Sequence, residues 1–476
     1  MNIFNYFKNK GIDTLDPSFY KKIEGWKSWY NGRVRNFSFY KIYSGHGTYS
    51  RKQRKSLGMA KKLSEDIADL LLNERVRITV DDEKTMDFVH YVLNENDFFV
   101  LGNDYQERKA YTGTVAYIPY IKNGEVDANG EFVAGEIGID YVSAANIYPV
   151  SWENGKVTEC VFAFSKTTNR KKYLQLQYHH LEIVTEKLQY VIENTVLECR
   201  TGEQDGIELE EEEWRKLKPF RNLARRIETG STEPQFAIDK LNIVNNADLD
   251  ESNPMGVAIF ANAIDVLKKL DIEYDSYSSE FELGRKRVFV APEMMKNVDG
   301  SPAFDADDTV FYRLPDNYSE KGENMIHEIN MELRAEQHSK AISDDLNYLS
   351  LKCGFGTERY KFEGGQAKTA TEVVSENSDM YRMLQKHEIV LNNAIQTLIR
   401  IIIRLGIALG NQLDLNAEVK IDFDDSIIED KEAERLQDRQ DVSIGAMGLA
   451  EYRAKWYGET EEEAAKKVQE PAEVIM

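Results

Sequence analysis

Residues 370–410, "ATEVVSENSDMYRMLQKHEIVLNNAIQTLIRIIIRLGIALG", run without a proline and at helical spacing. At 1.5 Å per residue such a helix is about 60 Å long, and few chains of this size accommodate one inside a single body. Its first half is polar and its second half strongly apolar, so one end is expected to be exposed or interfacial and the other central. The apolar run at 394–410 carries Arg400 and Arg404 and is too short for a bilayer, which makes it a helix buried by protein.

The rest of the chain is organised around that helix. Stretches 15–30 and 51–74 have apolar positions at helical spacing and read as helices docked on a core. From about 98 to 200, short runs rich in Val, Ile, Tyr and Thr, broken by "KNGE" and "ENGK", predict an antiparallel β region. An acidic connection follows at 202–214. Asn253 and Pro254 have the form of a helix start, opening a run of about 28 residues. Short strands and turns are expected between 285 and 320, then a second helix over 325–354. Two helices joined by a small β module have little core of their own, and such a hairpin is expected to pack against copies of itself. The last sixty residues read as a strand and two or three short acidic helices.

Ahead of the long helix stands "EGGQAKTATEV", which invites a phosphate-binding reading. A P-loop needs glycine directly before the lysine and again five residues earlier, where Lys368 has Ala367 and Phe362. The same residues fit a capping box better: Thr369 as cap, Glu372 reaching back, and Gly364 and Gly365 as freedom for the loop to turn and move. His179 and His180 are adjacent in a strand and point to opposite faces, so they cannot share a metal. Asp422, Asp424 and Asp425 lack the glycine and terminal glutamate of a calcium loop and read as a solvated acidic face. The basic groups Arg51, Lys52, Arg54, Lys55 and Arg285, Lys286, Arg287 read as solvated charge, with contact to an acidic partner as the alternative. Cys160, Cys199 and Cys353 are far apart and read as reduced thiols. The N-terminal segment lacks a signal peptide's apolar region, which predicts cytoplasmic synthesis. A net charge of −22 argues against a surface that wraps nucleic acid, though not against a protein that DNA slides past.

In this order the stretches "NPMGVAIFANAIDVLKKLDIEYDSY", "IHEINMELRAEQHSKAISDDLNYLSLKCG" and "GGQAKTATEVVSENSDMYRMLQKHEIVLNNAIQTLIRIII" resemble the phage portal proteins of long-tailed phages of Gram-positive bacteria. The resemblance implies an α+β portal-like subunit. Its parts are a wing over 1–252, stem helices over 253–284 and 325–354, and a small β-containing clip over 285–324. A tunnel loop over 355–369, a long wing helix over 370–412 and a short helical crown over 413–476 complete it. It implies a structural ring, usually of twelve copies, at one capsid vertex, assembled in the host cytoplasm and carried in the virion. That ring would be a channel for packaging and ejecting double-stranded DNA. Gly364, Gly365, Gln366 and Lys368 would face the DNA without reading sequence. Arg285, Lys286 and Arg287 would lie where the terminase large subunit and the head-to-tail adaptor dock, and major capsid and scaffolding proteins would be further partners. The resemblance implies no catalytic centre, cofactor, metal or membrane. Two other readings stand beside it: a P-loop-like nucleotide hydrolase using Lys368 and Thr369, and a helical scaffold or minor capsid protein without a channel.

Overall fold

The computed structural model describes residues 3–44, 48–73, 75–126, 132–199, 206–284, 287–290, 311–313, 326–329, 332–357, 359–360, 370–423, 431–457 and 460–469. Helix α1 (Ile3–Lys10) leads to α2 (Pro17–Tyr30), where Asp16 caps by accepting from the Ser18 amide and Pro17 takes the first helical position. A hairpin of β1 (Phe39–Ser44) and β2 (Thr48–Gln53) follows, then α3 (Met59–Leu71), β3 (Arg77–Val80), α4 (Glu83–Glu95) and α5 (Phe98–Thr112). The β region holds β4 (Thr114–Val126), β5 (Phe132–Ser143), β6 (Ile147–Glu153), β7 (Lys156–Thr168), β8 (Lys171–Val184) and β9 (Lys187–Cys199). Smaller pieces come next: β10 (Ile207–Glu208), α6 (Glu211–Trp214), β11 (Arg226–Glu228) and β12 (Ala237–Lys240).

The second half contains α7 (Ile264–Leu283), β13 (Arg287–Val290), β14 (Phe311–Arg313), β15 (Ile326–Ile329), α8 (Ala335–Lys352) and the 39-residue α9 (Ala370–Ala408). It ends in β16 (Val419–Asp422), α10 (Lys431–Ser443), α11 (Leu449–Tyr457) and α12 (Glu461–Gln469). Helices and sheets are mixed along the chain, an α+β fold.

Strands β6 to β10 form one antiparallel sheet in the order β10-β9-β8-β7-β6, with β11 also on β9, and a second sheet has the order β12-β4-β5. The first sheet is made of consecutive hairpins. Asn154 and Gly155 turn β6 into β7 with φ of 50° and 74°, the left-handed pair that a two-residue hairpin loop requires. The apolar half of α9 packs on β12, β4, β5, β16, α3 and α4. Leu391, Ile395, Leu398, Ile399, Ile401, Ile402 and Ile403 are fully buried there. By length and composition Ser378–Ala408 is apolar enough to cross a bilayer, and half of its apolar window is buried against strands and helices of the same chain.

Four expectations are corrected. Asn253 and Pro254 do not start a helix: the Asn253 side chain accepts from the Met255 amide two residues on, and residues 253–260 run non-helically into α7. "MIHEI" is not helical either, because β15 pairs antiparallel with β13, and α8 starts at Ala335. Residues 98–112 are α5, a helix that the strand-like composition concealed, and the segment 51–58 is β2 and a loop rather than helix.

His179 and His180 do lie on opposite faces of β8. His179 is buried between the Phe162 and Phe236 rings, at 5.3 and 5.4 Å between centroids, and neither ring nitrogen has a hydrogen-bond partner among the described residues. His180 stacks on Tyr178. Burial pulls the His179 imidazole down to about 3. In the unfolded chain it titrates near 6.5, so unfolding takes up a proton between these values and stability falls as pH drops below about 6.5. His179→Phe removes that dependence. Urea unfolding at pH 7 and pH 5 is expected to show the wild type losing about 2 kcal/mol more than the variant over this interval; equal losses would contradict the assigned burial.

Candidate functional site

Helices α7 and α8 form an antiparallel pair joined through β13, β14 and β15, which make a small sheet in the order β14-β13-β15. Ion pairs mark the alignment at three levels. Lys352 at the end of α8 reaches Asp265 at the start of α7 (3.1 Å), Lys269 meets Asp345 midway (2.8 Å), and Arg334 grips Glu280 at the far end (2.8 and 3.0 Å). The Arg334 hydrogen bonds hold the Glu280 carboxyl down at about 2. Burial, and Asp345 next, push Glu273 up. Val266, Leu267 and Leu270 of α7 and Ile342, Leu346 and Leu349 of α8 are buried, but Phe281, Leu283, Tyr348 and Leu351 stay 46 to 62% exposed. A helix pair with this much open apolar surface is suited to packing against further protein.

The pair hangs from the body at a buried polar junction. Lys109 of α5 and Asp239 of β12 are fully buried and bonded at 2.9 and 3.0 Å. Gln106 donates both to Asp239 and to the Tyr117 hydroxyl, each at 2.8 Å. Burial pulls Lys109 down and Asp239 opposes that shift. Beyond β12, the Asn242 amide donates to Nδ1 of His387 on α9, and its side chain donates to the Lys386 carbonyl. Burial, with Lys109 nearby, holds His387 neutral, down to about 3. The chain then crosses the end of α5 at two glycines. A Cβ on Gly256 would sit 2.2 Å from the Gly113 carbonyl oxygen, and Gly113 has φ of +87°. Thus α5, β12, α9 and the approach to α7 meet in one place.

Between α8 and α9 the chain is fixed before residue 361. Cys353 and Phe355 are buried, Gly354 is tight against Met383 of α9, and Tyr360 donates to Asp66 of α3 at 2.7 Å. Gly364, Gly365, Gln366, Lys368 and Thr369 lie outside the described residues, as do Arg285 and Lys286. Glu372 falls in the first turn of α9 and Arg287 opens β13, both described in backbone only, so the capping box and a basic clip surface remain expectations. Asp422 is exposed on β16, Asp424 and Asp425 lie outside the described residues, and no cluster of three or more metal-ligating side chains occurs among the described residues.

The basic group near residue 52 is not simply solvated. Lys52 and Lys55 pair with Glu282, and Arg54 with Asp275, docking the β1–β2 hairpin on α7. A cleft of about 520 Å³ between β7, β12 and α9 includes Lys156, Lys240 and Arg400. The Lys240 ammonium already serves two backbone carbonyls, of Gly155 and Pro254. Sequence reasoning missed Lys109, Asp239 and His387. An aspartate inside the short apolar strand "FAIDKL" is the one local sign of them.

The described residues thus comprise a mixed α+β body with a long helix packed into it and an antiparallel helix pair joined through a small sheet. The chain matches the family model described as phage portal protein, SPP1 Gp6-like, over residues 10–473, and it belongs to that family. No curated protein matches it. Portal proteins are structural components of the virion capsid with a role in DNA packaging, and the family forms oligomeric rings.

Removing one member of a buried ion pair strands the other. Lys109→Met is expected to cost about 3–5 kcal/mol in chemical unfolding, and adding Asp239→Leu to recover much of that loss. A double variant no more stable than the single one would show that the pair does not act as a unit.

Proposed function

We propose that the chain is the subunit of a ring, twelve copies in the common family arrangement, forming a conduit for double-stranded DNA at a capsid vertex. The observation that supports this most is the succession α7, β13 to β15, α8 and α9 within a family match that spans nearly the whole chain. In this reading α7 and α8 are the stem, the small sheet between them belongs to the clip, and the segment before α9 is the tunnel loop. The wing comprises the body before residue 253 together with α9. Because β16 pairs with β3 of the body, we take the crown to begin after it, with α10 to α12. Exposed apolar side chains along α7 and α8 would then be covered by neighbouring copies.

A ring of Lys368 side chains would touch passing phosphates without reading bases, while the acidic remainder keeps DNA from adhering. Gly364 and Gly365 would let that loop move. The clip, with Arg285, Lys286 and Arg287, would receive the terminase large subunit and later the head-to-tail adaptor, and the outer body would meet capsid and scaffolding proteins. The reading assigns no catalytic residue; the energy for packaging would come from the terminase. Assembly would take place in the host cytoplasm, in a bacterium of the Gram-positive kind.

Native mass measurement is expected to give rings of about 660 kDa, twelve copies of the 54.8 kDa chain, with a through-hole in axial images. A stable monomer in all conditions, or a ring without a hole, overturns the conduit. Gly364→Val with Gly365→Val is expected to leave the ring intact and lower the yield of packaged DNA. Undiminished packaging removes the loop from the mechanism.

A further inference from the structure

The forty residues from Gly25 to Ser64 contain ten Lys and Arg and no Asp or Glu, in a chain of net charge −22. The fold divides these cations into two groups. Lys61 pairs with Glu65 and Glu107, Lys62 with Asp66, Arg54 with Asp275, and Lys52 and Lys55 with Glu282. Lys27, Arg33, Arg35, Lys41 and Arg51 are exposed and have no carboxylate partner among the described residues.

The β1–β2 ribbon sorts them by face. Its register sets Phe39 opposite Gln53, Tyr40 opposite Lys52, Lys41 opposite Arg51, and Tyr43 opposite Tyr49. Tyr40 and Lys52 point to α7, where Tyr40 donates to Asp275 and Lys52 reaches Glu282. The alternate residues Phe39, Lys41, Tyr43, Tyr49, Arg51 and Gln53 therefore share the outer face. On it Arg51 lies 4.0 Å over the Phe39 ring, and Tyr43 and Tyr49, 61 and 68% exposed, meet edge to face at 5.5 Å. Two like charges directly opposite each other across a two-stranded ribbon destabilise it unless an anion lies between or above them. Arg33 and Arg35 stand in the turn that enters β1 and extend the positive charge.

We propose that this outer face is a second nucleic-acid contact, separate from the channel loop, which binds the phosphate backbone of duplex DNA without sequence preference. A two-stranded ribbon matches the width of the major groove, and Lys and Arg interleaved with exposed aromatic rings supply phosphate contacts and apolar contact to sugars and bases. The acidic remainder of the chain does not prevent this, because at physiological salt its field is screened within about 8 Å. The face is carried on the side of the ribbon away from α7 and is exposed in the single chain.

Covalently closed circular duplex, which cannot thread a closed channel, is the probe, and the assembled full-length protein is the binder. At about 50 mM salt the wild type is expected to co-sediment with the circles, with binding that falls steeply as salt rises. Lys41→Gln with Arg51→Gln is expected to weaken binding at least about tenfold and to lower the salt slope by about two. Both residues are exposed and their mutual repulsion is removed, so the unfolding midpoint should not fall and ring assembly should be unchanged. Gly364→Val with Gly365→Val should bind circles like the wild type, which keeps this contact distinct from the loop. No binding at 50 mM salt, or binding that ignores the double variant, overturns the proposal. So does a double variant that binds circles normally and fails to assemble, since the face would then belong to a second copy.

Discussion

Everything else in this molecule is arranged around the need to cover α9. The C-terminal half of α9 buries Ile395, Leu398, Ile399, Ile401, Ile402 and Ile403 completely and leaves a polar stripe that includes Asn393 and Arg400 exposed, so the apolar face is too wide for a single neighbour to shield. The chain supplies β12, β4 and β5 on one side, α3 and α4 on another, and the β16–β3 pair beyond. β16 comes from after the helix and β3 from well before it, more than 330 residues apart in the chain, and the two are joined by their common role in that enclosure. Even the charge near the end of the helix is spent locally: Arg404 is largely buried, its guanidinium is pulled down by that burial, and it donates to Ser231.

How much of this is visible in the sequence depends on whether the physical cause is local. The long helix is legible from its uninterrupted periodicity, the β6–β7 turn from Asn154–Gly155, and the opposite facing of His179 and His180 from strand alternation. The failures have non-local causes. "NPMGVAIFANAI" has the look of a capped helix, but Met255, Val257, Ile259 and Phe260 are buried along the end of α5, where the Ile259 amide donates to the Ala110 carbonyl. Crossing there requires an irregular path, and Gly256 against Gly113 permits one. "MIHEI" becomes a strand only because β13 offers it an edge. The junction is still less legible: Lys109, the single lysine of α5, stands beside Glu107 and Arg108 in what reads as a solvated charged turn, and it is the position of Asp239 opposite it that turns a surface residue type into a core one.

The site residues named from the sequence fall on the far side of a similar boundary. Gly364 to Thr369 are bracketed by positions whose fixation is clear. Tyr360 is held to α3 through Asp66, whose carboxylate, with burial, pushes the phenol well up, and Met383 on the other side is pressed against Gly354. The loop's mobility and the capping pattern read from the sequence stay expectations, because they fall on residues outside those described.

Charge distribution carries the last step. Read as a total, −22 describes an acidic protein and argues against nucleic acid. Read along the chain, the acids and bases are segregated, and the structure shows what segregation achieves. Glu280 and Glu282 at the end of α7 are the acids that meet Arg334, Lys52 and Lys55, so the outer end of the helix hairpin is tied to the first sixty residues and to α8 by charge where apolar burial has run out. Exposed pairs of this kind contribute little stability each. Their value here is placement: they orient the ribbon with its paired cations inward and leave Lys41 and Arg51 outward, a division that apolar packing alone could not impose on two strands so exposed.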